Sequence, residues 1–549
     1  MITIGALLAF SACNDDFLDS EPIVDQTAEG YFQTPKNALE GLTGCYNGLV
    51  LDEWTNAHMI PTIASDEAFA GGGQGEATSD VPYGWDEFEE AGNRNQNAAI
   101  WANRYTAIYR CNSFLENLEG VNWGEDDNLA IQYEAEARFL RAYYYFDLVR
   151  FFENVPLVTS AEVNNTKQAD PADVFEQIAE DLKFAAENLE GIPYSDMSSN
   201  DYGHATRWAA ESMMGRVFLY YTGRYNQEDL AGVVSESEVI DYLEDVIQNS
   251  GHDLVDDFEN LWPVSSVSGE GEYVGEDNVE TVFAIKYSWG PSAEGRGNNR
   301  WLINYGLRWH DGTPAPYSWG WGQGTVSEKY WSDVYDDGDT RKSASILSVE
   351  EELNNQVANI DDDGNVTYNE FDHTQWADYT GYFNKKYIPL VTSMDDFTEL
   401  PISKDPNNNA QYDQFQDWVV IRYADVLLMA AELQLGTAKA DEYVQQVRAR
   451  AFDDPDMEVS GVTMEEIREE RQREFFFEGI RYWDLMRYGQ DIASQEINTT
   501  EVVLEGGEEK TKDIVFDTSK EGFFQIPWDQ IDLSYEDGEY YLEQNPGWE

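Results

Sequence analysis

The sequence predicts a mainly α fold, in which a body of paired helices carries long irregular loops and a few short strands. Three observations predict it. Apolar residues recur at helical spacing from about residue 36 to residue 249. Helix-start signals precede several of these segments. Between residues 251 and 409 the helical spacing fades and Gly, Asn, Asp and Trp become frequent, after which helices resume.

The first half of the chain is predicted to form the helical body. Thr34-Pro35 and Asp170-Pro171 are typical of a capping residue followed by proline in the first helical turn. Paired helices of this length are similar to tetratricopeptide units, although no strict period of about 34 residues is present. The candidate helices are Lys36–Leu49, Ala98–Leu118, Leu129–Phe152, Ala172–Leu189, Thr206–Thr222 and Ser237–Gln248.

The central segment, residues 251–409, is predicted to be rich in loops, with strands at Thr281–Tyr287 and Val366–Tyr368. Long loops of this kind usually carry function. Helices are expected again at Val419–Leu435, Ala438–Ala451 and Thr463–Tyr488, and Asp513–Glu549 is expected to be extended and to wrap back.

Arg471–Arg487 is predicted to lie within one helix. Phe476, Ile480, Trp483 and Met486 would form an apolar stripe. Charges of alternating sign would meet at mostly i,i+3 steps along the helix. A mid-helix glycine costs about 1 kcal/mol against alanine, so Gly479 indicates close packing or a bend. These features predict a packed helix with a salt-bridged flank and no catalytic motif.

Charge and cysteine content restrict the class of protein. With 34 basic and 106 acidic residues the net charge is −72, which disfavours binding to nucleic acid or anionic lipid. The dispersed acids favour a protein adapted to high salt, whose stability rises as salt screens self-repulsion. Acidic loops that bind cations are the alternative. Among three cysteines, Cys111 shares an apolar helical stripe, which favours a buried free thiol over a bridge to Cys45.

The N-terminus is typical of an exported lipoprotein. Residues 2–10 form an apolar run too short to span a bilayer. The following Phe10-Ser11-Ala12-Cys13 is similar to a lipobox, although Phe10 stands where Leu is usual and no basic residue precedes the run. We expect a signal peptide at 1–12, lipidation of Cys13 and a polar tether to about residue 35. An ordinary signal peptide or a buried N-terminus is the alternative.

No motif for catalysis is present in the sequence. The five histidines have no metal-ligand spacing, and there is no nucleophile elbow, P-loop or dinucleotide-binding glycine pattern. A carboxylate pair for glycoside cleavage is defined by separation in space, so a sequence with this many acids cannot identify one.

Aromatic residues in polar loops are the candidate ligand site. Exposed rings cover the apolar faces of sugars while polar neighbours bind the hydroxyls. The alternative is that the rings pack the loops onto the body. The candidate binding residues are Tyr83, Trp85, Trp301, Trp309, Trp319 and Trp321.

The segment Asn359–Glu370 has the register of an EF-hand calcium loop. Oxygen ligands would come from Asn359, Asp361, Asp363, Asn365 and Glu370, with Gly364 at the turn. Asn359 replaces the usual Asp and the flanks are not clear helices. A β-hairpin that turns at Asp363-Gly364 is the alternative. Apart from calcium, no cofactor is expected.

Six motifs follow one another along the chain. The most specific is Arg471–Arg487, RQREFFFEGIRYWDLMR, and the others are Trp101–Asn112, Glu136–Thr159, Arg422–Glu432, Gln525–Pro527 and Gln544–Trp548. Together and in this order they resemble the SusD/RagB family of outer-membrane lipoproteins.

The resemblance implies a single SusD-like domain over residues 36–549, divided into 36–250, 251–409 and 410–549. It implies a tetratricopeptide-containing protein, lipid-anchored on the cell surface, that is not an enzyme. Such a protein delivers glycan or oligosaccharide to a SusC-like TonB-dependent transporter. A peptide-binding RagB-like protein, a surface glycoside hydrolase and a structural scaffold are the alternatives.

Overall fold

A computed structural model describes the fold over most of the chain. The described residues are 28–50, 57–75, 80–89, 95–124, 127–162, 164–264, 271–288, 297–308, 317–353, 357–360, 366–368, 373–390 and 414–549. Cys13 and the predicted tether as far as residue 27 lie outside them, while the last part of the tether contains helix α1 (Ala28–Tyr31). Within the described residues, no helix is long and apolar enough to cross a membrane.

The N-terminal half forms successive helices that pack against their neighbours in chain order, with α6 against α5 and α7, and α8 against α7 and α9. The prediction of a mainly α, tetratricopeptide-like body is confirmed. Thr34, Asp170 and Thr206 cap three helices through side-chain oxygens. The helices are α1 (Ala28–Tyr31), α2 (Pro35–Tyr46), α3 (Met59–Ile63), α4 (Asp80–Asp86), α5 (Ala98–Asn117), α6 (Asp127–Phe152), α7 (Pro171–Asn188), α8 (Arg207–Tyr225) and α9 (Glu236–Asn249).

The helices of the C-terminal part complete the same body, since α13 packs on α8 and α9, and α16 packs on α8. Short helices in the central region and at the end of the chain join them. They are α10 (Leu302–Tyr305), α11 (Glu328–Asp333), α12 (Arg341–Ser345), α13 (Tyr423–Leu433), α14 (Ala438–Ala451), α15 (Met464–Glu474), α16 (Arg481–Tyr488), α17 (Gln490–Ile497) and α18 (Trp528–Leu533).

The described strands pair two by two rather than forming one sheet. The pairs are antiparallel except for β5 with β6. They are β1 (Ala68–Gly71) with β7 (Gln323–Val326), β2 (Asp229–Leu230) with β3 (Val234–Ser235), β4 (Thr281–Ile285) with β12 (Trp418–Arg422), β5 (Leu307–Arg308) with β6 (Trp319–Gly320), β8 (Ile346–Ser348) with β11 (Tyr382–Asn384), β9 (Val357–Ile360) with β10 (Val366–Tyr368), β13 (Thr499–Glu505) with β14 (Glu508–Ile514), and β15 (Tyr535–Glu536) with β16 (Glu539–Tyr540).

Two of the predicted helices need correction. Val419–Leu435 begins as strand β12, whose Trp-Val-Val-Ile run combines an aromatic residue with β-branched ones and pairs with β4. Thr463–Tyr488 is two helices, because α15 ends at Glu474 and α16 starts at Arg481. Phe477 (φ 59°) and Gly479 (φ 68°) both take left-handed conformations between them. A Cβ at Gly479 would lie 3.2 Å from the carbonyl of His58, so the turn is closely packed.

The sequence predicts that the charges of this motif meet along one helix. In the structure most of them pair instead with distant residues in the core. Glu474 binds guanidinium groups of Arg341, Arg422 and Arg450, and all four side chains are at most 4% exposed. Arg481 binds Asp66 at 2.8 Å. Pairs at helical spacing are few: Asp484 with Arg487 inside the motif, and Arg473 with Glu469 and Glu470 just before it. The motif therefore joins separate parts of the chain through buried ion pairs.

The end of the chain wraps back onto the body, as expected, but is not extended throughout because it contains α18 and the β15–β16 hairpin. Asn97 Nδ2 donates to the Gln525 carbonyl oxygen at 3.0 Å. The Trp548 indole donates to the Phe523 carbonyl oxygen at 2.9 Å. Cys45 and Cys111 are buried and free, which confirms the predicted thiol.

Candidate functional site

The candidate site is built where three loops meet through glycines. We call it the glycine shelf and define it by Gly71–Gly73, Gly306, Gly320, Gly322 and the two rings they present, Trp319 and Trp321. The Trp321 N–H donates to the Ile303 carbonyl oxygen at 2.8 Å, and the Gly322 N–H to that of Gly306 at 2.9 Å. The Gly72 N–H in turn donates to the Gly322 carbonyl oxygen at 2.7 Å.

Glycine is required at the shelf because the backbones touch. A Cβ on Gly320 would lie 2.3 Å from the Cα of Gly306, and one on Gly71 would lie 2.5 Å from the carbonyl oxygen of Gly322. Gly322 also has a φ of 74°. The shelf is therefore a layer of closely packed main chain, in which a side chain at Gly71 or Gly320 would clash with backbone.

Trp319 and Trp321 are the two predicted tryptophans that the structure leaves partly accessible. Both are half-buried. They flank Gly320 at the end of strand β6, and alternate residues of an extended chain point to the same side. Two indoles on one side of a rigid backbone layer can stack on successive apolar faces of a sugar chain.

Polar side chains lie against the glycines of the shelf and in the loops next to it. The guanidinium of Arg308 lies against Gly73, where a Cβ would be 2.3 Å from the guanidinium carbon. The amide of Gln74 lies over Gly506 in the same way, at 2.6 Å. His373 stacks on Tyr379 with ring centroids 5.2 Å apart. Donors and acceptors of this kind bind hydroxyl groups.

Two predicted rings are not surface residues. Trp85 and Trp301 are each 1% exposed. The Trp85 indole donates to Asn97 Oδ1 at 3.2 Å, and that of Trp301 to the Tyr287 hydroxyl at 3.1 Å. The prediction that they belong to an exposed platform is therefore wrong, because both rings are buried where the loops pack onto the body. Trp309 lies outside the described residues.

Tyr83 is half-buried beside an ionic cluster behind the shelf. The Lys512 ammonium lies 4.5 Å from the centre of its ring and 3.1 Å from both Asp86 and Asp378. Burial, with the charges of Asp378 and Glu505, raises the pKa of Tyr83. Burial raises the pKa of Asp86 to about 7, against the opposing effect of Lys512. This cluster fixes helix α4 to the shelf.

Sequence reasoning missed the polar side chain beside the shelf, and it also missed one aromatic pair that is not part of the shelf. Trp331 stacks on Tyr382 with centroids 4.8 Å apart, and the Lys342 ammonium lies 4.0 Å from the Trp331 ring. Both rings are half-buried. Nothing in the sequence joins Trp331 to Tyr382, which come together because β11 packs against β7. Arg308 is likewise identified only by its contact with Gly73.

The predicted calcium loop is described only in its flanks. Strands β9 and β10 pair with Asn359 opposite Thr367, which is the backbone of a hairpin. Asp361, Asp363, Asn365 and Glu370 lie outside the described residues, so calcium binding stays a prediction. Within the described part of the chain, no cluster of three or more His, Cys, Asp or Glu side chains could hold a metal ion.

Comparison with known families identifies the chain. The profile of the SusD family matches residues 266–548, more than half of the sequence. The chain belongs to the SusD family. A second profile, described as "Starch-binding associating with outer membrane", matches residues 16–219. The two matches together cover both the helical half and the shelf.

Individual relatives agree with this assignment. A SusD-like protein (P2) of Formosa agariphila is 24% identical over 505 residues, covering 88% of this chain and 89% of its own length. A SusD-like protein of Bacteroides ovatus is 25% identical over 91% of this chain and 84% of its own.

Solved structures share the fold. A laminarin-binding SusD-like protein superposes with a TM-score of 0.70 at 25% identity, over 94% of this chain and all of its own. Surface glycan-binding protein A from Bacteroides thetaiotaomicron, solved with laminarihexaose, has a TM-score of 0.72 at 22% identity over 93% of this chain and all of its own.

Proposed function

We propose that this SusD-family protein binds a glycan or oligosaccharide at the cell surface without chemical change, and that the glycine shelf is its binding site. The observation that carries the proposal is the pair of half-buried indoles, Trp319 and Trp321, on a layer of closely packed main chain against which the Arg308 guanidinium lies. The laminarin-binding relative of similar fold supports a glycan as the ligand class.

The proposal extends to an anchor and a partner. Cys13 would carry the lipid that holds the protein on the outer membrane, with residues 13–35 as tether. A SusC-like TonB-dependent transporter would receive the ligand. The family membership supports both, and the second profile is described as associating with the outer membrane.

A polysaccharide panel tests the binding proposal. The protein is titrated with laminarin, starch and other soluble glycans, followed by tryptophan fluorescence and calorimetry. We expect saturable binding of at least one glycan and no shortening of it. Binding of peptides alone would favour the RagB-like alternative, and release of shorter sugars would favour a hydrolase.

Cell fractionation and pulldown test the anchor and the partner. A Cys13→Ala variant is expected in soluble fractions, and mild detergent extraction of the wild type is expected to recover a transporter barrel. A Cys13→Ala protein that stays in the membrane fraction contradicts lipidation. Recovery of this protein alone, at adequate salt, contradicts the transporter.

A further inference from the structure

A small cavity lies inside the helical body, away from the glycine shelf. We call it the arginine cavity. Its volume is about 40 Å³, enough for two or three waters at about 10–15 Å³ each or for one ion of similar size. The residues that matter for its chemistry are His58, Tyr143, Arg150, Arg216 and Tyr220, which all line it.

The carboxylates that line the arginine cavity are already bound. None has an oxygen that lacks a nearby cation, so a cation or a further donor gains little by entering. Each is held by two cations: Asp147 by Arg104 and Arg150, Asp484 by Arg471 and Arg487, and Glu478 by Lys386 and Arg422.

Three hydrogen-bond donors of the residues that line the cavity have no acceptor from the described protein. Arg216 gives its Nε and Nη2 to Asp425, and Arg150 gives its Nε to the Phe146 carbonyl and its Nη2 to Asp147. This leaves Nη1 of each arginine without a carbonyl or carboxylate partner within the described residues. No described residue accepts a hydrogen bond from the buried Tyr220 hydroxyl. Of these three donors the Tyr220 hydroxyl is the buried one, and an unmet buried donor costs about 1–3 kcal/mol.

Local charge points the same way. Three chains of ion pairs reach the cavity, and the two that hold Arg150 and Arg216 contain five guanidinium groups and four carboxylates. The third reaches it through Glu478, which lies between Lys386 and Arg422. His58 adds no charge, because burial and nearby guanidinium groups lower its pKa to about 3, against the effect of Asp147. A buried charge without a partner is costly. The members of the two chains are Arg104, Asp147 and Arg150 in one, and Arg216, Asp425, Arg471, Asp484, Arg487 and Glu432 in the other.

We propose that the arginine cavity binds one small monovalent anion, chloride in a saline medium, between Arg150 and Arg216 with Tyr220 as a further donor. The net charge of −72 opposes this at low salt. At about 1 M salt the Debye length falls to about 3 Å, so surface carboxylates no longer act on the cavity while the adjacent arginines still do. The site therefore fills at high salt.

Thermal unfolding of the full chain tests the proposal. Midpoints are measured in sodium chloride and in sodium gluconate at matched ionic strength, since gluconate is too large for the cavity. General screening raises the midpoint in both salts. We expect an additional, saturable rise in chloride, because a ligand that binds only the native state stabilises it.

Two variants separate the site from general salt effects. Tyr220→Phe removes one donor and keeps the ring, and should weaken chloride about tenfold, the effect of one hydrogen bond to a charged group. Tyr482→Phe is the matched control, because its hydroxyl is buried and donates to Gly522 outside the cavity. Equal chloride-minus-gluconate differences in all three proteins overturn the proposal.

Crystals grown in sodium bromide give an independent measurement that does not depend on the variants. An anomalous bromide peak between Arg150 and Arg216 is the expected result. Density for water without an anomalous signal at molar bromide shows that the donors are solvated instead, and the proposal fails.

Discussion

The interior of the helical body and the glycine shelf differ in which groups they bury. In the body, arginines and carboxylates are enclosed and paired, as in the contact of Arg422 with Glu280, Glu474 and Glu478. At the shelf, glycines bring main chains together and leave two indoles half-buried at the surface. The comparison teaches that the most recognisable motif, Arg471–Arg487, builds the body, while the proposed binding site lies in loops that the body holds.

The largest effect is expected from breaking the ionic core. Arg422→Met leaves Glu280, Glu474 and Glu478 short of a cation, and removing one partner from a buried network costs about 3–5 kcal/mol. Lys36→Met is the control, since its pair with Glu40 is largely exposed and such pairs contribute about 0–1 kcal/mol. Urea midpoints measure both. Equal losses would show that the buried pairs are not what holds the body together.

Trp301→Ala separates packing from binding. A buried tryptophan cut to alanine typically costs about 3–5 kcal/mol, and the Trp301 ring packs against Trp418 and Tyr387. We expect a lower melting temperature with glycan affinity retained in the folded protein. A loss of glycan affinity at unchanged melting temperature would show that Trp301 contacts the ligand and does not serve packing alone.

Glycines of the two regions should respond with opposite signs. Gly320→Ala is expected to destabilise, by about 1–3 kcal/mol as in other overpacked sites, because its Cβ would meet Gly306 Cα at 2.3 Å. Gly44 lies in helix α2 with open space around it, so Gly44→Ala should stabilise by up to about 1 kcal/mol. Two changes of the same sign would argue against close backbone contact at the shelf. Chemical unfolding of both variants provides the comparison.

The two regions also differ in their response to pH. Burial alone would raise the pKa of Glu474, but Arg450, Arg422 and Arg341 hold it below its usual range. Its stabilisation is present above the unfolded pKa of about 4.3 and is lost as pH falls. Asp86 is the opposite case, with a folded pKa of about 7. Its stabilisation is present below about pH 4 and is lost as pH rises toward 7.

Asp86→Asn removes that loss. Relative to wild type, the free energy of unfolding of the variant should rise by about 1.4 kcal/mol per pH unit between roughly pH 5 and 6.5. Urea unfolding of both proteins across this range measures the difference. A constant difference between the two proteins would mean that Asp86 is ionised throughout.

Much of the helical body could be predicted from the sequence because its signals are local. Thr34-Pro35 and Asp170-Pro171 cap helices where expected. The break after Glu474 could not be predicted, since it depends on contacts of Gly479 with His58 and Trp418 that are distant in sequence. Strand β12 was missed because its partner, β4, lies more than a hundred residues earlier.

The site could be predicted only in part. A loop rich in glycine and tryptophan indicates ligand binding, and Trp319 and Trp321 are accessible as that prediction requires. Composition does not distinguish them from Trp85 and Trp301, since burial is decided by which surface each loop packs against. The role of Arg308 depends on its contact with Gly73 and has no sequence signal of its own.

The most direct test of the account is glycan affinity of a Trp319→Ala/Trp321→Ala double variant, with Trp331→Ala as control because that ring is also half-buried but lies beside Tyr382. Affinity is measured by calorimetry for a glycan that the wild type binds, and melting is measured in parallel. We expect the double variant to lose at least about 2 kcal/mol of binding free energy with little change in melting temperature, and the control to bind as wild type does. Wild-type affinity in the double variant would contradict the glycine shelf as the binding site.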